Sequence, residues 1–316
     1  MAYIKRTTDI ERPRRSWIHS QILCEGLPLV PIQTRTSTPS RLPAAADVRA
    51  RAHAENFPVA SLVFGRRVRS HLSAIYGFAR FADEIGDSIE GDRLEALDWL
   101  EEELERCPRG GATHPLLREL SGTIRVCDLP LEPFRRLIEA NRRDQVVKRC
   151  ETFEDLMAYC DFSAAPLGRL VLGVFGADTE ERIELSDRVC AGLQVAEHIQ
   201  DVSEDASAGR VYLPLQDLRR FGCAESDLLA RSASDPLRGV IALQVARARH
   251  LLDAGVPLAR SLAPRARLPV CGFVAGGHAA LDAVCRANYD VLAVAARPGR
   301  VQVASRLVRV LTRGSL

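Results

Sequence analysis

The chain has 316 residues, 47% of them hydrophobic and 27% charged, which suffices for a large core and excludes a disordered or collagen-like chain. The net charge is only +2 and aromatic residues make up 5%. We therefore expect no nucleic-acid partner. Nine cysteines occur without a CxxC pair, and no apolar run reaches the roughly 20 residues of a membrane-spanning helix. These features predict a cytoplasmic protein with buried thiols.

The first 44 residues have a composition of their own. The stretches RTTDIERPRRSW and PIQTRTSTPSRLP are rich in Arg, Pro, Ser and Thr and lack an apolar period. Segments of this kind bury too little apolar surface to order themselves. We predict a flexible leader over residues 1–44, which a start codon assigned too far upstream would explain equally well, and one domain over residues 45–316.

From residue 45 onward the chain is patterned as helices. Apolar residues recur at three- and four-residue spacing, and the segments end at Pro or Gly, as amphipathic helices do. Strand signals are scarce. The predicted helices are Val68–Asp87, Arg93–Cys107, Pro115–Val126, Leu131–Asn141, Phe153–Phe175, Glu180–Glu204, Asp235–Gly255, Val270–Ala296 and Val301–Leu311. This pattern predicts an all-α domain with many helices around one centre.

Two aspartate pairs lie in otherwise apolar helical segments. Asp83 and Asp87 form the first pair, and Asp201 and Asp205 form the second. Residues four apart share a helical face about 6 Å apart along the axis, so each pair brings two like charges together. One such pair is as compatible with a solvated helix face as with a site. Two pairs, with Glu197 adding a third acid to the second, favour metal binding.

A divalent cation is the natural counter-charge for these acids. Buried carboxylates are unfavourable without one, and Mg²⁺ prefers oxygen ligands and completes its shell with water and substrate phosphate. The pairs therefore predict Mg²⁺ and a phosphorylated substrate, with Arg80, Arg210 and Tyr212 placed to contact a diphosphate. Two alternatives stay open: a surface salt bridge from Arg80 to Glu84, and Tyr76 as a core aromatic.

Several motifs resemble those of the squalene/phytoene synthase family. The resemblance lies in YGFARFADEIGD, AYCDFSAAPLGRLV and IQDVSEDASAGRVYLP, and it runs from about residue 55 to about residue 290. The stretches ENFPVAS, EANRRDQ and GRVYLPLQDLRRFG are most similar to the hydroxysqualene synthase branch of hopanoid biosynthesis. The resemblance implies an all-α terpenoid synthase fold, with two aspartate motifs on facing helices at the mouth of an apolar cavity.

The aspartate pattern and the resemblance together give a set of candidate site residues. The predicted metal ligands are Asp83, Asp87, Glu197, Asp201 and Asp205. The predicted catalytic residues are Tyr76, Arg80, Arg210 and Tyr212. The predicted substrate-binding residues are Arg80, Gln194, Arg210 and Tyr212. The resemblance implies two or three Mg²⁺ ions with the substrate diphosphate, and no NADPH is expected.

Three positions depart from the family pattern. Glu84 stands where a second aspartate is usual, and Glu197 and Ala165 stand where asparagine is expected. The four motif aspartates are retained. The departures therefore leave open a shifted product or a weak activity.

The implied reaction converts presqualene diphosphate to hydroxysqualene with release of diphosphate. The helices Ser163–Phe175 and Val270–Ala296 are expected to line the apolar pocket. One alternative within the family is head-to-head condensation of two farnesyl diphosphates to presqualene diphosphate or to a squalene- or phytoene-type product. Another, of a different class, is a helical assembly subunit without activity. The resemblance also implies functional coupling to other hopanoid-pathway enzymes.

The C-terminal stretch Val301–Leu311 is a basic amphipathic segment. Its apolar stripe comprises Val301, Ala304, Leu307, Val308 and Leu311, beside Arg300, Arg306 and Arg309. This suits a short helix in an anionic membrane interface, with weak peripheral contact. The alternative is a terminal helix docked on the core of its own chain with its arginines in water, which the short length of the segment favours.

The remaining titratable groups are given structural roles. The cysteines are read as small buried hydrophobes. His198 lies between Glu197 and Asp201, and we expect it to point away from their shared face.

Overall fold

Helices make up most of the chain that this computed structural model describes, which comprises residues 42–48, 65–294 and 296–313. The helices are α1 Arg66–Asp87, α2 Arg93–Arg106, α3 Pro115–Cys127, α4 Glu132–Val146, α5 Phe153–Ser163, α6 Ala165–Val174, α7 Glu180–Gln200, α8 Val202–Ser207, α9 Leu215–Phe221, α10 Asp235–Gly255, α11 Pro257–Ser261, α12 Pro264–Arg286 and α13 Arg300–Arg313. The predicted all-α class is confirmed. Of the predicted leader, residues 1–41 lie outside the described residues.

The core consists of two large apolar clusters. One cluster joins α1 to α4, where Phe78 and Phe134 meet edge to face at 5.2 Å between ring centroids. The other joins α5 and α7 to α13. Helix α6 contributes to both, since Leu170 packs in the first cluster and Leu172 in the second. The aspartate pairs are carried by α1 and by the end of α7, one in each half.

The structure corrects several predicted helix bounds. The segment predicted as one helix over Phe153–Phe175 is two, because the chain turns at Ala164 and α6 starts with a proline in its first turn. The predicted helix Glu180–Glu204 breaks at Asp201. Helix α4 runs five residues beyond the predicted end at Asn141. The helix predicted over Val270–Ala296 is α12, which begins and ends earlier.

Helix α12 is long and apolar enough to cross a membrane by length and composition alone. The sequence analysis found no stretch of this kind. Two thirds of its most apolar window (67%) is buried inside the protein. It therefore packs here as a core helix.

A short backbone ladder ties the segment after α4 to the segment after α8. The Val211 amide donates to the Lys148 carbonyl at 2.8 Å, and the Cys150 amide donates to the Val211 carbonyl at 3.2 Å. The Leu215 amide adds a bond to the Cys150 carbonyl at 3.0 Å. These bonds fix Arg210 and Tyr212, which flank Val211, against the end of α4.

Close packing of α7 on α10 depends on Gly192. A Cβ atom there would lie 2.9 Å from Leu252 Cγ and 3.1 Å from the Ala248 carbonyl oxygen. The Gly192→Ala substitution should therefore lower the free energy of unfolding by about 1–3 kcal/mol. Gly122→Ala in α3, where a Cβ meets nothing within 4 Å, should raise it by up to about 1 kcal/mol. Urea titration followed by circular dichroism measures both, and equal effects would contradict the packing argument.

Candidate active site

The first aspartate pair ends α1 and is held by α4. Asp83 Oδ1 accepts a hydrogen bond from Asn141 Nδ2 at 3.1 Å, and the Gly86 carbonyl accepts one from Gln145 Nε2 at 3.0 Å. A Cβ atom at Gly86 would lie 2.2 Å from Asn141 Oδ1. Glycine at this position therefore lets the Asn141 amide reach the Asp83 carboxylate.

The second pair lies across a helix break. Asp201 is the residue between α7 and α8, with φ −101° and ψ 13°, and Asp205 lies on α8. The Asp205 amide still donates to the Asp201 carbonyl at 2.8 Å, so the four-residue spacing keeps both on one side. Glu197, one turn earlier on α7, is exposed. The prediction of one continuous helix through these acids was wrong.

Arg210 joins the two pairs. Its Nη1 lies 2.6 Å from Asp87 Oδ1, and its Nε lies 3.9 Å from Asp205 Oδ1. Asp87 belongs to the first half of the chain and Asp205 to the second. The guanidinium thus brings together three residues that the sequence predicted as one site.

His198 is a residue whose position the sequence analysis predicted wrongly. Its Nδ1 lies 3.5 Å from Asp205 Oδ2, and its ring stacks on Tyr212 at 3.9 Å between centroids. Gln194 Nε2 lies 3.2 Å from His198 Nε2. The signal was present, because residues 198 and 205 are seven apart and so share a helical face.

Asp144 is a second residue that the sequence analysis missed. Tyr159 on α5 donates its hydroxyl to Asp144 Oδ2 at 3.0 Å, and Tyr212 donates to Asp144 Oδ1 at 3.4 Å. The motif EANRRDQ contains Asp144, but the predicted helix stopped at Asn141. With α4 continued to Val146, the carboxylate lies beside the ladder that carries Tyr212.

Arg80 and Tyr76 lie further along α1. Arg80 Nε is 3.5 Å from Glu84 Oε1, and Glu84 is buried. Arg80 thus pairs with Glu84 as the salt-bridge alternative expected, but with a buried carboxylate instead of one at the surface. The positive charge of Arg80 also lowers the pKa of Asp83. Tyr76 is half-buried beside Leu72. Loss of hydration raises its pKa well above the usual range, so its hydroxyl stays protonated.

Desolvation in the cleft raises the pKa of several acids. It raises those of Asp83 and Asp144 to about 6, with the charge of Asp87 acting in the same direction on both. Desolvation also raises the pKa of Asp201, as does the charge of Asp205. The Asp83 side chain is nevertheless exposed to solvent. Screening by water therefore makes the effect of its raised pKa on the free energy of unfolding smaller than for a fully buried group. The site therefore favours a cation near these carboxylates.

The Asp83 carboxyl should destabilise the metal-free protein at neutral pH. Its pKa is raised in the folded state, so the folded protein binds the proton more tightly and loses stability as pH rises from about 4 to 7. In chelator, Asp83→Asn should therefore be more stable than wild type at pH 7–8, with the difference vanishing towards pH 4. Urea midpoints across this range measure it, with the exposed Asp178→Asn as control. A difference independent of pH would contradict this assignment.

The carboxylate oxygens of this site are suitable ligands for a hard cation, although their present positions do not form a complete coordination shell. Within the described ranges, no three His, Cys, Asp or Glu side chains are grouped to hold an ion. Arg210 instead supplies positive charge between Asp87 and Asp205. A place that accepts a guanidinium between two acids suits Mg²⁺, since both are cations that carboxylate oxygens compensate. The guanidinium itself suits a diphosphate, whose oxygens accept its N–H groups.

Comparison with known proteins is consistent with this geometry. Residues 50–306 match the family profile described as squalene/phytoene synthase. The chain is 37% identical to the hydroxysqualene synthase of Rhodopseudomonas palustris, over 66% of this chain and 71% of that protein. It is 29% identical to the 15-cis-phytoene synthase of Synechocystis, over 89% of each.

Solved structures agree. The crystal structure of squalene synthase HpnC from Alicyclobacillus acidocaldarius matches with a TM-score of 0.72 and 47% identity, covering 78% of this chain and 94% of that one. A dehydrosqualene synthase solved with a ligand matches with a TM-score of 0.76 at 22% identity, covering 85% and 95%. The latter likeness concerns the fold alone.

Proposed function

The chain belongs to the squalene/phytoene synthase family, and we propose that it converts presqualene diphosphate to hydroxysqualene with release of diphosphate, using two or three Mg²⁺ ions and no NADPH. It is an enzyme of this family rather than an assembly subunit. The hydroxysqualene synthase relatives support the branch. The observation that carries the proposal is the Arg210 contact between Asp87 and Asp205.

The residues of this chain would act on the leaving group first. Asp83 and Asp87 would hold Mg²⁺ from one side of the cleft, and Asp201 and Asp205 from the other. Bound Mg²⁺ supplies positive charge that stabilises the departing diphosphate. Arg210 has five N–H donors in a rigid fork, so its guanidinium is suited to exchange the Asp87 carboxylate for phosphate oxygens.

The hydrocarbon part needs a pocket that excludes bulk water while the carbocation exists. We propose α6 and α12 as its lining, with α12 replacing the predicted Val270–Ala296 helix. In support, a Cβ atom at Gly272 or Gly276 of α12 would meet no atom within 4 Å. Both glycines are half-buried. A stripe of this kind leaves room for an apolar chain.

Product analysis tests the reaction. With Mg²⁺ and presqualene diphosphate, we expect hydroxysqualene and one diphosphate per turnover, and none in EDTA. Asp87→Asn and Arg210→Gln should each lower turnover by about 10²-fold or more, because each removes charge aimed at the leaving group. Arg149→Gln is the matched control, since its side chain pairs with Glu225 instead.

Two results would overturn the proposal. Full turnover in chelator would show that the reaction needs no metal ion. Turnover of farnesyl diphosphate, with none of presqualene diphosphate, would favour the condensation reaction, for which the likeness to phytoene synthases is the supporting observation. If the product is hydroxysqualene, we propose coupling to further hopanoid-pathway enzymes, because the next enzyme must accept this C30 product.

We further propose a cytoplasmic protein that makes weak peripheral contact with anionic membranes, since substrate and product partition into lipid. Helix α13 docks on the core through Leu307, Leu311 and the buried Val310, and Arg306 Nε pairs with Asp282 at 2.9 Å. The docked alternative is thus confirmed. The rest of the predicted stripe faces outward, with Val301 82% exposed and Val308 58% exposed.

Charge complementarity supports an anionic lipid surface as the proposed partner of this outward face. From residue 257 to the C-terminus the sequence contains nine arginines and two aspartates. Both aspartates are paired within the protein, Asp282 with Arg306 and Asp290 with Arg238. Exposed apolar side chains in a segment rich in arginine suit an anionic interface.

Liposome co-sedimentation at low salt tests the membrane contact. We expect binding to vesicles with anionic lipid that weakens with salt, and a severalfold loss in the double variant Val301→Ser, Val308→Ser. Val126→Ser, at a similarly exposed position on α3 (55%), is the control. Point variants are preferable to deletion, because deleting α13 would uncover its docking site. Unchanged binding by the double variant would show that the outward face of α13 does not contact the membrane.

A further inference from the structure

Asp144 is the meeting point of three separate parts of the chain. It lies near the end of α4, and it accepts the hydroxyl of Tyr159 from α5 at 3.0 Å and that of Tyr212 from the backbone ladder at 3.4 Å. The two tyrosine oxygens lie 3.4 Å apart, and the rings are 5.1 Å apart between centroids. Two phenol groups thus converge on one carboxylate.

From this geometry we infer that Asp144 is a positioning residue, which holds Tyr159 and Tyr212 with their hydroxyl protons turned towards its carboxylate and their oxygen lone pairs available to the substrate. The inference rests on the proposed function for what the substrate is. Asp144 would not itself touch the reacting atoms.

Proton counting supports this role. A tyrosine hydroxyl has one proton to donate, while its oxygen accepts through lone pairs. An ionised aspartate only accepts, so each tyrosine that donates to Asp144 has no proton left for a diphosphate. Desolvation raises the pKa of Asp144 to about 6, against the Tyr159 hydrogen bond and the charges of Arg210 and Lys148, so the carboxyl group is mostly ionised at pH 7.5. Both hydroxyls are therefore set as acceptors.

Such oxygens favour positive over negative charge nearby. Arg210, the proposed diphosphate ligand, is close enough to affect the pKa of both Asp144 and Tyr212. His198 stacks on the Tyr212 ring, lies 6.0 Å from Tyr159 between ring centroids, and contacts Asp205. The tyrosine oxygens lie next to the place where charge would separate, where they would stabilise the carbocation and hold a water molecule by its proton.

The Asp144→Asn substitution keeps the shape but places an amide donor against the hydroxyls, which reverses at least one hydrogen bond. We expect kcat to fall by about 10²-fold, as for loss of one preorganised electrostatic group, with KM changed less than threefold and more dehydrated hydrocarbon relative to alcohol. Asp144→Glu retains an accepting carboxylate and should recover part of kcat. Asp161→Asn, on the exposed side of α5, is the control and should match wild type.

The tyrosine Fermi doublet near 830 and 850 cm⁻¹ in the ultraviolet Raman spectrum reports whether a phenol donates or accepts. Wild type minus Tyr159→Phe and wild type minus Tyr212→Phe isolate the two signals, and at least one of them should change from donor to acceptor character in Asp144→Asn. This readout needs no substrate, so it decides the role of Asp144 even if the proposed reaction fails. An unchanged doublet in Asp144→Asn, with or without loss of kcat, would overturn the inference.

Discussion

Repulsion between carboxylates is the constraint on which the rest of this structure depends. Five acids from three separate parts of the fold are linked through Arg210 and through their charges, namely Asp83, Asp87, Asp144, Asp201 and Asp205. Loss of hydration disfavours ionisation of these acids, and repulsion between like charges adds to it, which is why three of them have raised pKa values. Arg210 compensates part of this charge, because a guanidinium stays protonated throughout the physiological range. A cation bound between the pairs would add to the same compensation and release Arg210 for an anion.

Rigid backbone features fix this arrangement. Gly86 allows α4 to approach α1 so closely that Asn141 bonds Asp83. The ladder between Lys148 and Val211 then attaches the Arg210 segment to the end of α4. Acids from both halves of the chain are therefore placed by main-chain hydrogen bonds and helix packing. Holding the same geometry with flexible side chains alone would cost more conformational entropy on folding.

The sequence predicted the local parts of this account better than the long-range parts. Apolar periodicity identified the helical class, and four-residue spacing identified both aspartate pairs. Arg210 was predicted from its place just after the second pair and from the family resemblance. The break at Asp201 was missed because neither proline nor glycine marks it. Asp144 was missed because its importance depends on Tyr159 and Tyr212, whose approach is set by tertiary packing that no single segment encodes. The sequence analysis treated the C-terminal apolar stripe as one face. Its division between the core and solvent was missed, because tertiary packing also sets it.

The central claim is that the two aspartate pairs and Arg210 form one site for a metal-bound diphosphate. A crystal structure with Mg²⁺ and an unreactive thio analogue of presqualene diphosphate tests it most directly. We predict Mg²⁺ ions between the α1 pair and the pair at Asp201 and Asp205, with the Arg210 guanidinium moved from Asp87 to the diphosphate oxygens. A diphosphate bound elsewhere, with the Arg210 to Asp87 contact of 2.6 Å intact, would contradict the account.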